Sequence, residues 1–195
     1  MSHMASQIPV EIRRITDPDG TSRLGAIAFL EGVLSTPDIK NRLIATEKEY
    51  FTLLKQCREI LSQIKTSEGR PDAGLRWMLA DKINAFLSGS ASKLGVVLVN
   101  YTDALHRDLG ISESELRYIS RFYGKYKNAK ELDSRINWSK YRELMDFSDE
   151  ELRKQCEDLI KTGNIKSDGE IREFKRRMKT GRRSQPRFFA RKSDT

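Results

Sequence analysis

Arginine and lysine are concentrated in the last 25 residues of the chain. Residues 171–195 carry ten basic and two acidic side chains, a net charge of +8, whereas the preceding 170 residues carry 26 of each and are neutral. Guanidinium and ammonium groups neutralise phosphates and release their counterions. A neutral body with a cationic end is typical of a protein that contacts a polyanion. The phosphate-binding candidates are Arg172, Lys175, Arg176, Arg177, Lys179, Arg182, Arg183 and Arg187.

A second set of candidate binding residues follows one face of a helix predicted over 113–127. Leu116, Ile119 and Phe122 recur at three-residue spacing, which places them on the inward face. The opposite face offers hydroxyl, guanidinium and ammonium groups. An arginine there can donate two hydrogen bonds to guanine in the major groove. The candidates on this outer face are Ser114, Arg117, Tyr118, Arg121 and Lys125.

The residues just before this helix predict a tight turn from another helix, expected over 93–109. Gly110 can adopt the left-handed conformation that ends a helix, Ile111 can fill the joint, and Ser112 can cap the next helix. A short glycine-containing turn between two helices is what a helix-turn-helix requires. Such turns also occur in many proteins that never contact DNA, so the turn alone leaves a purely structural role open.

Other kinds of chemistry find little support in the residues. Cys57 and Cys156 are far apart and lie in predicted helices, which favours buried apolar packing over a disulfide or a zinc site. His106 is the single histidine outside a cloning remnant that we assign to residues 1–3. We therefore expect no catalytic site, metal, cofactor or small-molecule substrate. Without a signal sequence or a long apolar run, we expect a cytoplasmic protein that does not enter the membrane.

Apolar periodicity predicts an all-α fold, a multi-helix domain that contains the helix-turn-helix and ends in a basic tail. We expect an irregular segment over 1–22, in which Val10, Ile12 and Ile15 could form a short extended stretch. A helical region over 23–66 and a boundary loop over 67–74 follow. A helix-turn-helix domain would cover 75–179 and a flexible basic tail 180–195. Further helices are predicted over 75–87, 138–145, 149–162 and 168–179. Capping boxes, which mark helix starts, are predicted at Thr46 with Glu49, Ser112 with Glu115, Ser148 with Glu151, and Ser167 with Glu170.

The helix at 47–64 has the most regular apolar stripe in the chain. Tyr50, Leu53, Leu54, Cys57 and Ile60 share one face at near-heptad spacing. We expect this face to pack into the protein's own core. Its spacing also leaves open a homodimer seam or a surface for a protein partner.

Three motifs resemble the N-terminal, DNA-binding-like domain of the YhcG family. They are Leu109-Gly110-Ile111-Ser112 with residues 116–123, the tryptophan-serine run over 138–145, and the arginine-containing helix over 170–176. The resemblance covers about half of the chain, over 75–179. It implies a helical DNA-binding module, which in that family is often joined to a PD-(D/E)XK nuclease domain. We expect no nuclease here, because Pro37-Asp38 and Pro71-Asp72 lack the strand context that such a site needs.

Taken together, these patterns predict a non-enzymatic nucleic-acid-binding protein, with double-stranded DNA favoured over RNA. Binding of RNA or single-stranded nucleic acid is a close variant, because the basic tail would serve it equally well. A protein–protein adaptor that uses the helix at 47–64 is the alternative from a different class.

Overall fold

The computed structural model describes residues 8–16, 22–29, 36–67, 72–91 and 93–183. The chain is mostly helical, which confirms the predicted class, and it also contains a small sheet. Its strands are β1 (Ile8–Thr16), β2 (Ser22–Phe29) and β3 (Val96–Leu98), and its helices are α1 (Pro37–Thr66), α2 (Ala73–Ala85), α3 (Tyr101–Leu109), α4 (Glu113–Lys125), α5 (Trp138–Leu144), α6 (Glu150–Lys161) and α7 (Asp168–Arg183). A π-helical turn, Phe86–Ala91, follows α2, and a 3-10 turn, Ala129–Glu131, follows α4. No helix within these described ranges combines the length and apolarity needed to span a bilayer.

Backbone contacts divide the chain into two units, Met1–Leu132 and Asp133–Thr195. The division falls inside the region over 75–179 that the sequence predicted as one domain. The loop expected to be a boundary, over 67–74, instead joins α1 and α2 within the first unit. Residues 68–71 of that loop lie outside the described residues.

The sheet of the first unit is the main departure from the sequence prediction. Its strand order is β2-β1-β3, with β1 antiparallel to β2 and parallel to β3. Val10, Ile12 and Ile15, where a short extended stretch was expected, lie in β1, and the irregular structure expected for the rest of β1 is wrong. The helix expected from residue 23 is also wrong, because β2 occupies residues 22–29. Val10 and Ile12, two residues apart, are fully buried. Short apolar runs do not distinguish a strand from a buried helix, and pairing between strands decided the outcome here.

The helix predicted over 93–109 is replaced in its first part by β3. Gly95 has a φ of 69°, a left-handed conformation that does not continue a helix. The β-branched run that follows forms the strand, and α3 begins only at Tyr101. Between them, the Asn100 side chain extends the strand pairing. Its Oδ1 accepts from the Ile12 N–H at 2.8 Å and its Nδ2 donates to the Ile12 carbonyl at 2.9 Å.

Helix α1 begins about ten residues earlier than predicted. Thr36 caps it, accepting a hydrogen bond from the Ile39 N–H at 3.3 Å, and Pro37 occupies the first turn. The capping box proposed at Thr46 is therefore wrong. Thr46 lies inside the helix, and its hydroxyl donates to the Arg42 carbonyl at 2.7 Å. The predicted apolar stripe packs into the core of the first unit, with the side chains of Tyr50, Leu53, Leu54, Cys57 and Ile60 buried.

A buried carboxylate connects α1 to α3. Asp108 accepts a hydrogen bond from the Tyr50 hydroxyl at 2.9 Å, and its two oxygens accept from Arg107 at 2.7 and 3.0 Å. From α1, Arg58 also donates to the Asp108 backbone carbonyl at 3.1 Å. Burial, together with the neighbouring Asp108 charge, raises the pKa of Tyr50 well above its usual range. Tyr50 therefore remains a hydrogen-bond donor at any physiological pH.

The second unit packs α5, α6 and α7 around an apolar centre that includes Ile136, Tyr141, Leu144, Cys156 and Ile171. Its helix starts differ in part from the predicted ones, since Asp149 caps α6, accepting from the Glu151 and Leu152 N–H groups at 2.9 and 3.1 Å. The box proposed at Ser148 is therefore wrong.

The box predicted at the start of α7 is confirmed. The Glu170 N–H donates to the Ser167 hydroxyl at 3.3 Å, and the Ser167 N–H donates to the Glu170 carboxylate at 3.1 Å. These reciprocal bonds satisfy amide groups that the first turn of a helix leaves free.

Replacing Tyr50 with phenylalanine should lower the free energy of unfolding by about 1 to 3 kcal/mol, because Asp108 loses a buried donor. Urea denaturation followed by circular dichroism measures the change. Tyr101→Phe, at an exposed tyrosine of the same unit, is the matched control and should change stability by less than about 0.5 kcal/mol. Equal effects of the two substitutions would show that the Tyr50–Asp108 bond does not stabilise the fold.

Candidate nucleic-acid interface

Helices α3 and α4 are joined by a three-residue turn. Gly110 ends α3 with a φ of 66°, and its N–H donates to the His106 carbonyl at 3.0 Å. Ile111 is buried, and the Ser112 hydroxyl caps α4 by accepting from the Glu115 N–H at 3.2 Å. The predicted roles of these three residues are confirmed. The Glu115 carboxylate, however, accepts a hydrogen bond from Arg76 on α2.

The inner face of α4 is held against α2. Leu116, Ile119 and Phe122 are buried, as their spacing predicted. At the far end of α4, the Trp77 Nε1 donates to the Tyr126 carbonyl at 2.7 Å and the Tyr123 hydroxyl donates to Asp81 at 3.1 Å. These contacts fix the rotation of α4 about its own axis and so determine which side chains it presents to solvent.

The α4 outer face comprises the five predicted candidates. Ser114, Arg117 and Arg121 are exposed, while Tyr118 and Lys125 are half-buried. The Arg121 guanidinium lies 5.9 Å from the centroid of the Tyr118 ring, within the range of a cation–π contact. The first turn of α4 carries Glu113 and Glu115. A polyanion would therefore meet attraction along the second half of α4 and repulsion at its start.

Helix α7 is anchored to its unit by an apolar face. Ile171 is fully buried, and the Phe174 and Phe147 rings lie 6.2 Å apart. Lys175, one of the phosphate-binding candidates, belongs to this anchor. Its Nζ lies 3.0 Å from the Glu143 carboxylate, 3.1 Å from the Glu143 carbonyl and 5.5 Å from the Phe147 ring centroid, and only 15% of its side chain is exposed. The geometry gives Lys175 a structural role within the second unit, and its predicted contact with phosphate stays a prediction.

An adjoining, solvent-facing side of α7 presents Arg172, Arg176 and Lys179, which we call the basic row. Spacings of four and three residues place them on one side of the helix, and all three are exposed. Arg172 donates to the Glu143 carboxylate at 2.8 Å, but 63% of its side chain is exposed. Arg177, another candidate, pairs with Glu173 on a neighbouring face.

The helical backbone of α7 continues to Arg183. The sequence predicted that this helix ends at residue 179 and that a flexible tail follows, and this prediction is wrong as far as Arg183. The side chains of Arg182 and Arg183, and all of Arg187, lie outside the described residues.

Glu143 is a residue of this region that the sequence did not single out. Burial raises the pKa of its carboxyl, but the hydrogen bonds from Arg172 and Lys175 outweigh that effect, so the net pKa is lowered. The negative charge of Glu143 thus persists at neutral pH and holds both cations. Arg172 and Lys175 follow it by 29 and 32 residues, a separation at which no spacing in the sequence indicates a contact.

Two sequence hypotheses about α1 and the cysteines are also settled by burial. The apolar stripe of α1 lies in the core, as expected, so this stripe is not available as the dimer seam or adaptor surface that its spacing had left open. The large apolar side chains that α1 leaves exposed are Ile44, at 66%, and Phe51, at 42%, which line an open groove. Cys57 and Cys156 are fully buried as predicted. Burial raises the pKa of their thiols to about 12 and about 11, so neither forms the reactive thiolate at neutral pH.

No protein-family model, curated protein sequence or solved structure matches this chain. The likeness to the YhcG family therefore rests on the motif residues alone. Within the described residues, no group of three or more histidine, cysteine, aspartate or glutamate side chains is arranged to hold a metal ion.

The contrast between Lys175 and Lys179 is testable by stability. Lys175→Met should lower the free energy of unfolding by about 1 to 3 kcal/mol, because it removes the ammonium that balances the half-buried Glu143. Lys179→Met, at an exposed position of the same helix, should cost less than about 0.5 kcal/mol. Thermal melting of the full chain measures both. A Lys175→Met protein as stable as the parent would show that the Lys175–Glu143 contact does not stabilise the fold.

Proposed function

We propose that this chain is a non-enzymatic nucleic-acid-binding protein that prefers double-stranded DNA. The observation that carries the proposal is the basic row of α7. A helix secured by Ile171, Phe174 and Lys175 presents arginine and lysine to solvent along an adjoining side. Cations on a rigid helix bind phosphates at a lower entropic cost than cations on a mobile tail, because the helix is already ordered before binding.

The length of the row suits a nucleic-acid backbone. From residue 172 to residue 179, the basic row rises about 10 Å at 1.5 Å per residue. Duplex DNA carries one negative charge per about 1.7 Å of its axis, so several phosphates lie within that length. A membrane surface fits less well, because an interfacial helix must bury its apolar face in lipid. Here that face contains Ile171 and Phe174 and packs against protein.

The α4 outer face is the proposed reader of base sequence. An α-helix fits the major groove of B-form DNA, where arginine can form paired hydrogen bonds with guanine. Arg117 and Arg121 are the side chains suited to that contact, with Ser114, Tyr118 and Lys125 available to bases or phosphates. The deep, narrow major groove of duplex RNA does not admit such a helix, which is why DNA is preferred. The resemblance to the YhcG family points in the same direction.

The electrostatic part of the proposal is tested by fluorescence anisotropy with labelled duplex DNA, duplex RNA and single-stranded DNA over a salt series. The triple variant Arg172→Gln, Arg176→Gln, Lys179→Gln should bind all sequences more weakly. It should also reduce the slope of log K against log salt by about 3, because three phosphates are no longer neutralised. Point substitutions are preferable to truncation before residue 170, since removing α7 would also remove part of the core.

The matched control removes the same charge from a different surface. Lys48→Gln, Lys55→Gln and Lys65→Gln together change the net charge equally, at exposed positions of α1. This control should leave the salt slope unchanged. If both triple variants lower the slope equally, the effect is one of net charge and the basic row is not the binding surface. If the parent binds no nucleic acid even at low salt, the proposal fails.

The reading part of the proposal is tested with duplexes selected from a random pool. Arg117→Ala and Arg121→Ala should each weaken binding to the selected duplex by about 1 to 3 kcal/mol and change binding to random DNA much less. Lys130→Ala, at an exposed position of the same unit, is the control. If these two arginine substitutions weakened binding to selected and random DNA equally, α4 would contact phosphates and would not read base sequence.

A protein partner on the outer side of α1 is the second candidate function. Ile44 and Phe51 are large apolar side chains left in solvent beside Glu47, Lys48, Thr52 and Lys55. Two such residues are fewer than a stable interface of about 800 Å² per partner needs. An apolar interface at this patch would also be insensitive to salt, so the salt series separates the two functions.

A further inference from the structure

The first unit contains a half-open groove of about 380 Å³ between α2, α3 and α4. Ile83, Leu105 and Leu116 contribute buried apolar surface, one residue from each helix. A volume of this size lies within the range of small-molecule sites, which are mostly apolar with a few converging polar groups. The remaining lining residues are Tyr101, Thr102, Glu113, Arg117 and Ser120.

The polar part of the lining carries one negative and one positive charge. Glu113 and Arg117 are one helical turn apart on α4, and both are exposed. Within the described residues, neither forms an ion pair with another side chain, although many other charged side chains there do. The groove thus offers a carboxylate and a guanidinium, each able to bind a charge supplied by a ligand, beside an apolar surface.

We propose that this groove binds a free aromatic amino acid. The ring packs on Ile83, Leu105 and Leu116, the ligand carboxylate accepts hydrogen bonds from Arg117, and the ligand ammonium donates to Glu113. A zwitterion matches this pair of charges better than a simple acid, which Glu113 repels, or a simple amine, which Arg117 repels. The half-exposed ring of Tyr101 at the edge favours an aromatic ligand over an aliphatic one.

This site does not depend on nucleic-acid binding, and its test needs none. The ¹⁵N-labelled full chain is titrated with three probes that share one ring: L-tryptophan, tryptamine, which lacks the carboxylate, and indole-3-propionate, which lacks the ammonium. L-tryptophan should produce saturable shifts in amides over 101–105 and 113–120 and bind more tightly than either analogue.

Two substitutions should then act in a crossed pattern. Arg117→Gln should weaken L-tryptophan and indole-3-propionate by about three- to tenfold and tighten tryptamine, from which it removes a repelling charge. Glu113→Gln should weaken L-tryptophan and tryptamine and tighten indole-3-propionate for the same reason. Arg121→Gln and Asp103→Asn, nearby exposed charges that do not line the groove, are the controls and should have no effect. The proposal would be overturned if L-tryptophan caused no saturable shifts or if all three probes bound with equal affinity. It would also be overturned if neither substitution changed the affinity of any probe.

Discussion

The buried carboxylate of Asp108 determines where the candidate DNA-reading helix can lie. A charge removed from water is tolerated only when hydrogen bonds replace its hydration. Tyr50 and Arg107 supply those bonds, and the Tyr50 bond ties the end of α3 to α1. At the other end of α3, Asn100 is bonded to β1. With both ends of α3 held and only three residues before α4, the position of α4 follows closely from that of α3.

Local signals in the sequence were sufficient for the parts of the fold that depend on neighbouring residues. Gly110 and Ser112 act within one turn of the chain, as do Ser167 and Glu170, and all four have their predicted roles. Periodicity also identified the buried face of α4. The sheet could not be predicted in this way, because β2 is an apolar run whose state depends on pairing with β1. The capping residue of α1 was missed because Thr46 and Glu49 carry the same local pattern inside the helix.

The candidate surfaces show the same limit in electrostatic terms. Residue type identifies a cation, but whether that cation is available depends on its partners in space. Lys175 and Arg176 are adjacent in the sequence, yet Lys175 lies against the Phe147 ring and beside Glu143 with little exposure, whereas Arg176 is exposed. The groove between α2, α3 and α4 could not be predicted from the sequence either, because its apolar residues come from three helices. Arg117 lines that groove and also belongs to the α4 outer face, so one guanidinium would serve both proposed ligands.

The side chain of Asn100 also constrains how this protein can vary in evolution. Its amide both accepts from and donates to the backbone of Ile12, and a carboxylate of the same shape cannot donate. Glutamine would carry the amide one methylene too far from the strand. Homologues that retain this sheet are thus expected to keep asparagine at position 100, five residues after the left-handed Gly95 and ten before Gly110. This glycine–asparagine–glycine spacing is a signature by which distant relatives can be recognised after their surfaces have changed.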